Sequence, residues 1–143
     1  MEQVFDPLRR KMVALTPEER VRQWFIGVLN SELGVPLTVM MSEVGMTFGQ
    51  AFSGIDGQLR QKRFRADIVV YDQFARPLML VECKRPEVDI DACVLEQAKR
   101  YDSVLEVRYI AATNGHRTLL LGRKDGHFRF LSGQITYNEM ING

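Results

Sequence analysis

Two rhythms of apolar residues divide the chain. In TPEERVRQWFIGVLNSELG, Val21, Trp24, Phe25, Val28 and Leu29 recur at helical spacing and form one apolar stripe. Thr16 stands at the N-cap, Pro17 at the first helical position and Glu19 at the capping-box position, so the pattern predicts an amphipathic helix that Gly34 ends. A short strand is expected at 11–15 after an Asp6-Pro7 turn, and another at 37–44. Residues 45–58 carry Gly45, Gly49, Gly54 and Gly57 among mixed polar residues, which predicts a long, mobile hairpin loop.

FRADIVVYD and PLMLVECKR are apolar at successive positions, as central strands covered on both faces are, and DQFARP between them is turn material. Helical spacing returns at 89–105 through Ile90, Cys93, Val94, Ala98, Tyr101, Val104 and Leu105. A buried strand at 107–112, an Asn114-Gly115 turn and edge strands at 118–121 and 128–131 complete the pattern. The fold expected is α/β, a mixed β-sheet flanked by helices, in a single domain over residues 1–143. No repeat, low-complexity tract or heptad pattern interrupts it.

Charge enters where that pattern forbids it. LMLVECKRP opens as a buried strand and finishes with an acid, a cysteine and two bases. If the two central strands form a hairpin looping at 73–76, opposed residues have numbers adding to 149, so Tyr71 faces Leu78 and Asp67 faces Glu82. Opposed side chains of one face lie ~4.5 to 5.5 Å apart at Cβ, and like charges there are destabilising unless something binds them. A divalent cation would. Lys84, two positions beyond Glu82, shares its face because side chains alternate along a strand. Hard carboxylate oxygens suit Mg²⁺, with Mn²⁺ as an alternative, and such an ion acidifies an attacking water and offsets charge on a scissile phosphate. Lys84 would orient the water or stabilise the developing charge. The competing explanation is a buried salt bridge between Glu82 and Lys84.

Composition leaves room for this chemistry without demanding it. The 143 residues are 45% hydrophobic and 26% charged, which describes one globular domain, and 19 basic against 18 acidic residues give a net charge of +1. Any nucleic-acid signal must therefore be local. Cys83 and Cys93 lack metal-site spacing and read as small buried hydrophobes of a reduced, cytoplasmic protein. No signal peptide and no run near the ~20 apolar residues of a membrane span is present.

ADIVVYD followed by LMLVECKRP resembles the PD-(D/E)xK nuclease superfamily, whose core motif falls on Asp67, Glu82 and Lys84. TPEERVRQ, RADIVVYD, VECKRPEV, EQAKRYD and ATNG, taken in order over about residues 5–122, resemble the N-terminal nuclease domain of type I restriction enzyme R subunits. Ala66 precedes Asp67 where the motif's name has proline. The resemblance implies a restriction-endonuclease-like fold and metal-dependent hydrolysis of DNA. It implies metal ligation by Asp67, Glu82 and the backbone carbonyl of Cys83. Gln97 and Tyr101 match a QxxxY motif whose helix packs beside the metal site; Tyr101 is equally a core aromatic with its hydroxyl at the rim. Relatives also use a first-helix glutamate, which here is Glu19, ahead of Glu18, although the capping box explains Glu19 without any metal.

Arg63 and Arg65, with Arg60 and Lys62 in the same run, and Lys99 and Arg100 beside Gln97, are candidate phosphate contacts; a solvated basic face is the alternative. Arg9, Arg10 and Lys11 read as surface residues, and Arg22 either pairs with Glu19 or reaches a phosphate. His116 and His127 sit in turn-like contexts without metal spacing, and nucleophile-elbow, dinucleotide and phosphate-loop motifs are absent. R subunits continue into a helicase motor, so the chain is expected to be a stand-alone relative or an excised domain. Motor or specificity subunits and a second copy of the chain are the partners the resemblance implies. A catalytically silent DNA-binding or assembly module of the same fold, and cleavage of RNA rather than DNA, remain open at this point.

Overall fold

A computed structural model describes the backbone of residues 2–53, 58–102 and 107–143, and the side chains of 2–43, 66–96, 100 and 107–143. The chain opens with a hairpin of β1 (Gln3–Asp6) and β2 (Lys11–Ala14), a two-stranded sheet of its own. The main sheet has six strands in chain order: β3 (Met40–Ser53), β4 (Gln58–Tyr71), β5 (Pro77–Cys83), β6 (Tyr109–Thr113), β7 (Thr118–Lys124) and β8 (His127–Phe130). Neighbours are antiparallel except β5 and β6, which run parallel. A parallel pair needs a crossover, and helix α2 (Ile90–Asp102) supplies it.

Two apolar layers cover the sheet. One packs α1 (Pro17–Gly27) through Val21, Phe25 and Ile26 against Ile68, Val70, Met79 and Val81. The other packs Ile90 and Val94 of α2 against Val69, Leu80, Ile110 and Ala112. Alternate residues of β4 and β5 thus serve opposite faces, which is why both strands read as unbroken apolar runs. Among the described residues, no helix is long and apolar enough to cross a membrane.

The first helix begins at its expected cap, where Thr16 accepts a hydrogen bond from the Glu19 amide at 3.1 Å. It continues as a π-helical turn over Val28–Glu32, and Gly34 ends it at φ +72°, a conformation that costs glycine nothing. Trp24, expected in the apolar stripe, is 47% exposed. Residues 37–39 form a 3₁₀ turn, and the expected strand starts only at Met40.

The loop expected at 45–58 is instead strand for most of its length. β3 and β4 pair from Met40↔Val70 to Ser53↔Gln58, with Gly49 at the one register shift. Ladder hydrogen bonds belong to the backbone, so glycines weaken a strand without removing its pairing, and a bulge absorbs the extra residue. The connection at 54–57 lies outside the described residues, as does the last part of the helix expected at 89–105.

Two elements have no counterpart in the sequence pattern, β1 and a short helix near the C-terminus. α3 (Tyr137–Asn142) is only six residues, too short for periodicity to register, yet Thr136 and Glu139 form a complete capping box. Its Tyr137 and Met140 enter the same layer as α1, and the Tyr137 hydroxyl donates to the Tyr71 carbonyl at 2.9 Å.

Candidate active site

The site is positioned by a turn. Asp72 Oδ1 accepts hydrogen bonds from the amides of Phe74 and Arg76 at 2.8 and 2.9 Å, closing the β4–β5 hairpin. The pairs Ile68↔Val81, Val69↔Leu80 and Val70↔Met79 add to 149, the expected register. A shift beside the turn puts Tyr71 opposite Pro77, not Leu78. Continued by one residue, the register sets Asp67 opposite Glu82. On the other flank Ser42↔Ile68 and Val44↔Ala66 bracket Asp67, so Glu43 of β3 stands opposite it. Three carboxylates therefore occupy one row across three adjacent strands.

Each acid of the row has a basic or amide partner. Asp67 Oδ2 accepts from the Cys83 amide at 2.7 Å, and its Oδ1 lies 3.9 Å from Arg22 Nη2. Burial raises the Asp67 carboxyl above the usual carboxylate range; Glu82's charge adds to this, while the Cys83 amide, Arg22 and Lys84 oppose it. Glu82 Oε1 sits 2.8 Å from Lys84 Nζ, a pair with side chains 25% and 36% exposed. The hydrogen bond from Glu82 raises Lys84 above its ordinary value, with desolvation opposing. The Glu82–Lys84 salt bridge is thus formed, but it is half-exposed rather than buried. The Cys83 side chain belongs to the core, where burial, above all, pushes its thiol far up; burial first and Glu82 second lift Cys93 to about 11.

Glu19 lies in a network of its own. Its carboxylate accepts from Arg9 Nη2 at 2.6 Å and Gln23 Nε2 at 3.0 Å, and approaches Arg22 Nε at 3.5 Å. Its amide completes only the Thr16 half of the capping box, because Arg9 holds the side chain away. Glu18 is exposed. Arg9, read above as a surface residue, is half-buried instead: it also pairs with enclosed Asp6 and lies 3.6 Å from Glu43. The hairpin of β1 and β2 folds it inward, which no periodicity in eleven residues encodes. Arg10, Lys11, Arg100, His116 and His127 are exposed. The side chains of Arg60, Lys62, Arg63, Arg65, Gln97, Lys99 and Tyr101 lie outside the described residues.

Glu43 is the residue sequence reasoning passed over. Its signal was an acid in MMSEVG, a segment already expected to be a strand.

Among the described residues, no three His, Cys, Asp or Glu side chains surround one point as a metal cage would. An ion at Asp67 and Glu82 would rest on two carboxylates, the Cys83 carbonyl and water, a donor set of hard oxygens that suits Mg²⁺. It would also offset the desolvation and like-charge repulsion that raise Asp67. The residues present fit the ion.

A mixed six-stranded sheet between helical layers, with acids in register on its central strands, defines an α/β protein of the restriction-endonuclease-like class. The family model described as "Type I restriction enzyme R protein N terminus" matches residues 17–133, and the chain belongs to that family. Its fold is similar to a fragment described as the HsdR subunit of a type I restriction enzyme from Vibrio vulnificus YJ016, with a TM-score of 0.62 at 24% identity. The match covers 91% of this chain and 25% of that one, so the chain spans a quarter of that relative's length. No curated protein matches the chain.

Proposed function

We propose that the chain is a Mg²⁺-dependent deoxyribonuclease of a restriction system. The observation that carries this reading is the row of Asp67 and Glu82 on the two central strands, with Lys84 two residues on and in contact with Glu82. When bound, Mg²⁺ or Mn²⁺ acidifies an attacking water and offsets charge on the scissile phosphate. Asp67 and Glu82 hold the ion, with the Cys83 carbonyl beside them. The Cys83 amide fixes the orientation of Asp67 Oδ2. Lys84 turns from Glu82 to the incoming water or to a non-bridging phosphate oxygen, and Gln97 and Tyr101 support the site from α2. Arg63, Arg65, Lys99 and Arg100 contact the DNA backbone, adding salt-dependent affinity without reading sequence. Motor or specificity subunits and a second copy of the chain are the partners of this reading. Purified chain with Mg²⁺ or Mn²⁺ should cleave DNA, and cleavage no better than that of a Lys84→Ala control ends the enzyme reading.

One observation favours a second reading, a silent DNA-binding or assembly module. Lys84 already neutralises Glu82, and Asp67 already accepts from Cys83. Calorimetry separates the two: Mg²⁺ binding abolished by Glu82→Ala supports the nuclease, whereas DNA binding indifferent to the ion supports the module.

A further inference from the structure

Hydrogen bonding does not explain the setting of Arg22. Its side chain is 9% exposed, yet its Nε and Nη1 are buried without a hydrogen-bond partner. Three carboxylates face the guanidinium instead, one at each nitrogen: Glu19 at 3.5 Å from Nε, Glu43 at 3.2 Å from Nη1 and Asp67 at 3.9 Å from Nη2. The group is held by charge rather than by bonded geometry. Glu43 reaches it from a left-handed backbone, φ +53°, which strains a residue with a side chain.

We infer that Arg22 is a built-in cation of the site, so that the chain works with a single divalent ion. Asp67 is shared: one oxygen faces Arg22, and its row partner Glu82 faces Lys84. The flank of Asp67 that a second ion would use, toward Glu19 and Glu43, is filled by a guanidinium, a cation tied to the chain that cannot exchange. A second divalent ion there would meet its repulsion at close range. Glu19 then serves as a counter-charge to Arg22 and Arg9 rather than as a ligand, consistent with its bonds. Arg22 acts through Asp67 and is a positioning residue by charge.

The inference rests on the nuclease reading, and metal titration distinguishes their failures. Calorimetry with Mn²⁺ and Mg²⁺ on the whole chain should count one ion in the wild type. Arg22→Gln, folded by circular dichroism, should bind the ion at least as tightly or take up a second, because a repelling charge has gone. Its DNA cleavage at saturating ion should fall about tenfold or more, in kcat rather than KM. Arg22→Lys keeps the charge and should retain one ion and cleavage within about tenfold of wild type. Two ions per wild-type chain overturn this inference alone. So does a folded Arg22→Gln whose ion affinity drops tenfold, since Arg22 would then merely brace Asp67, or an Arg22→Lys as impaired as Arg22→Gln. Should Arg22→Gln not fold, the wild-type count and Arg22→Lys still decide. A wild-type chain that binds no ion overturns the nuclease reading and this inference with it.

Discussion

Asp67 shows how burial and a neighbouring charge set the pH dependence of a single residue. Its carboxyl is raised by burial and by Glu82, so the folded chain keeps that proton to higher pH than the unfolded chain does. Its contribution to stability therefore declines as pH climbs from the ordinary carboxylate value through the raised one, and stays unfavourable above. Asp67→Asn retains an acceptor for the Cys83 amide while removing the charge. We expect the variant to melt above wild type at pH 7, the gap shrinking as the pH is lowered through the raised value toward the ordinary carboxylate one and neutral Asp67 returns; thermal melts across that range measure it. Asp6 behaves oppositely: burial opposes its ionisation, but bonds from Arg9 and Leu8 win and hold it below the usual range. Its contribution is present at neutral pH and lost as acid protonates it. Lys84 offers a separate contrast. A half-exposed ion pair is worth ~0 to 1 kcal/mol, so Lys84→Ala should leave the melting temperature nearly unchanged. If Lys84 works on the water or the phosphate, cleavage should fall about 10²- to 10⁴-fold at the same time. A large drop in stability with no drop in rate would make it structural.

Among the elements, the β4–β5 hairpin was legible because two apolar runs flank a turn whose Asp72 caps itself, and a register follows from turn length. The long β3–β4 ladder was not, because its pairing lies in backbone groups that residue type barely reports. α3 was hidden for another reason: its stability comes from where it packs. Met140 is wholly buried in the layer beneath α1. Met140→Ala should cost about 2–5 kcal/mol, as core truncations do, and Thr136→Ala about 0.5–2 kcal/mol through the lost cap. Denaturant midpoints test both; values near zero would mean that the terminal helix is an appendage.

On the proposed nuclease reading, ion binding and folding are linked across the molecule as a whole. A ligand bound only by the folded chain stabilises it by about 2.7 kcal/mol at a hundredfold excess over its dissociation constant. Melting temperature should thus rise with Mg²⁺ or Mn²⁺ in the wild type and stay flat in Glu82→Ala. Flat melts in both would argue for the silent module.

Sequence alone determined the α/β class, the two central strands, the capped first helix and the family resemblance, since each is written in local periodicity or in a short motif. It also placed Asp67, Glu82 and Lys84 together, because strand alternation and one hairpin register suffice. Tertiary structure decided what stands around them. Arg22, Arg9 and Glu43 come from a helix, a terminal hairpin and a third strand, and charges from such separate segments meet only when the layers close. No spacing records that meeting; the burial that forces them to neutralise one another does.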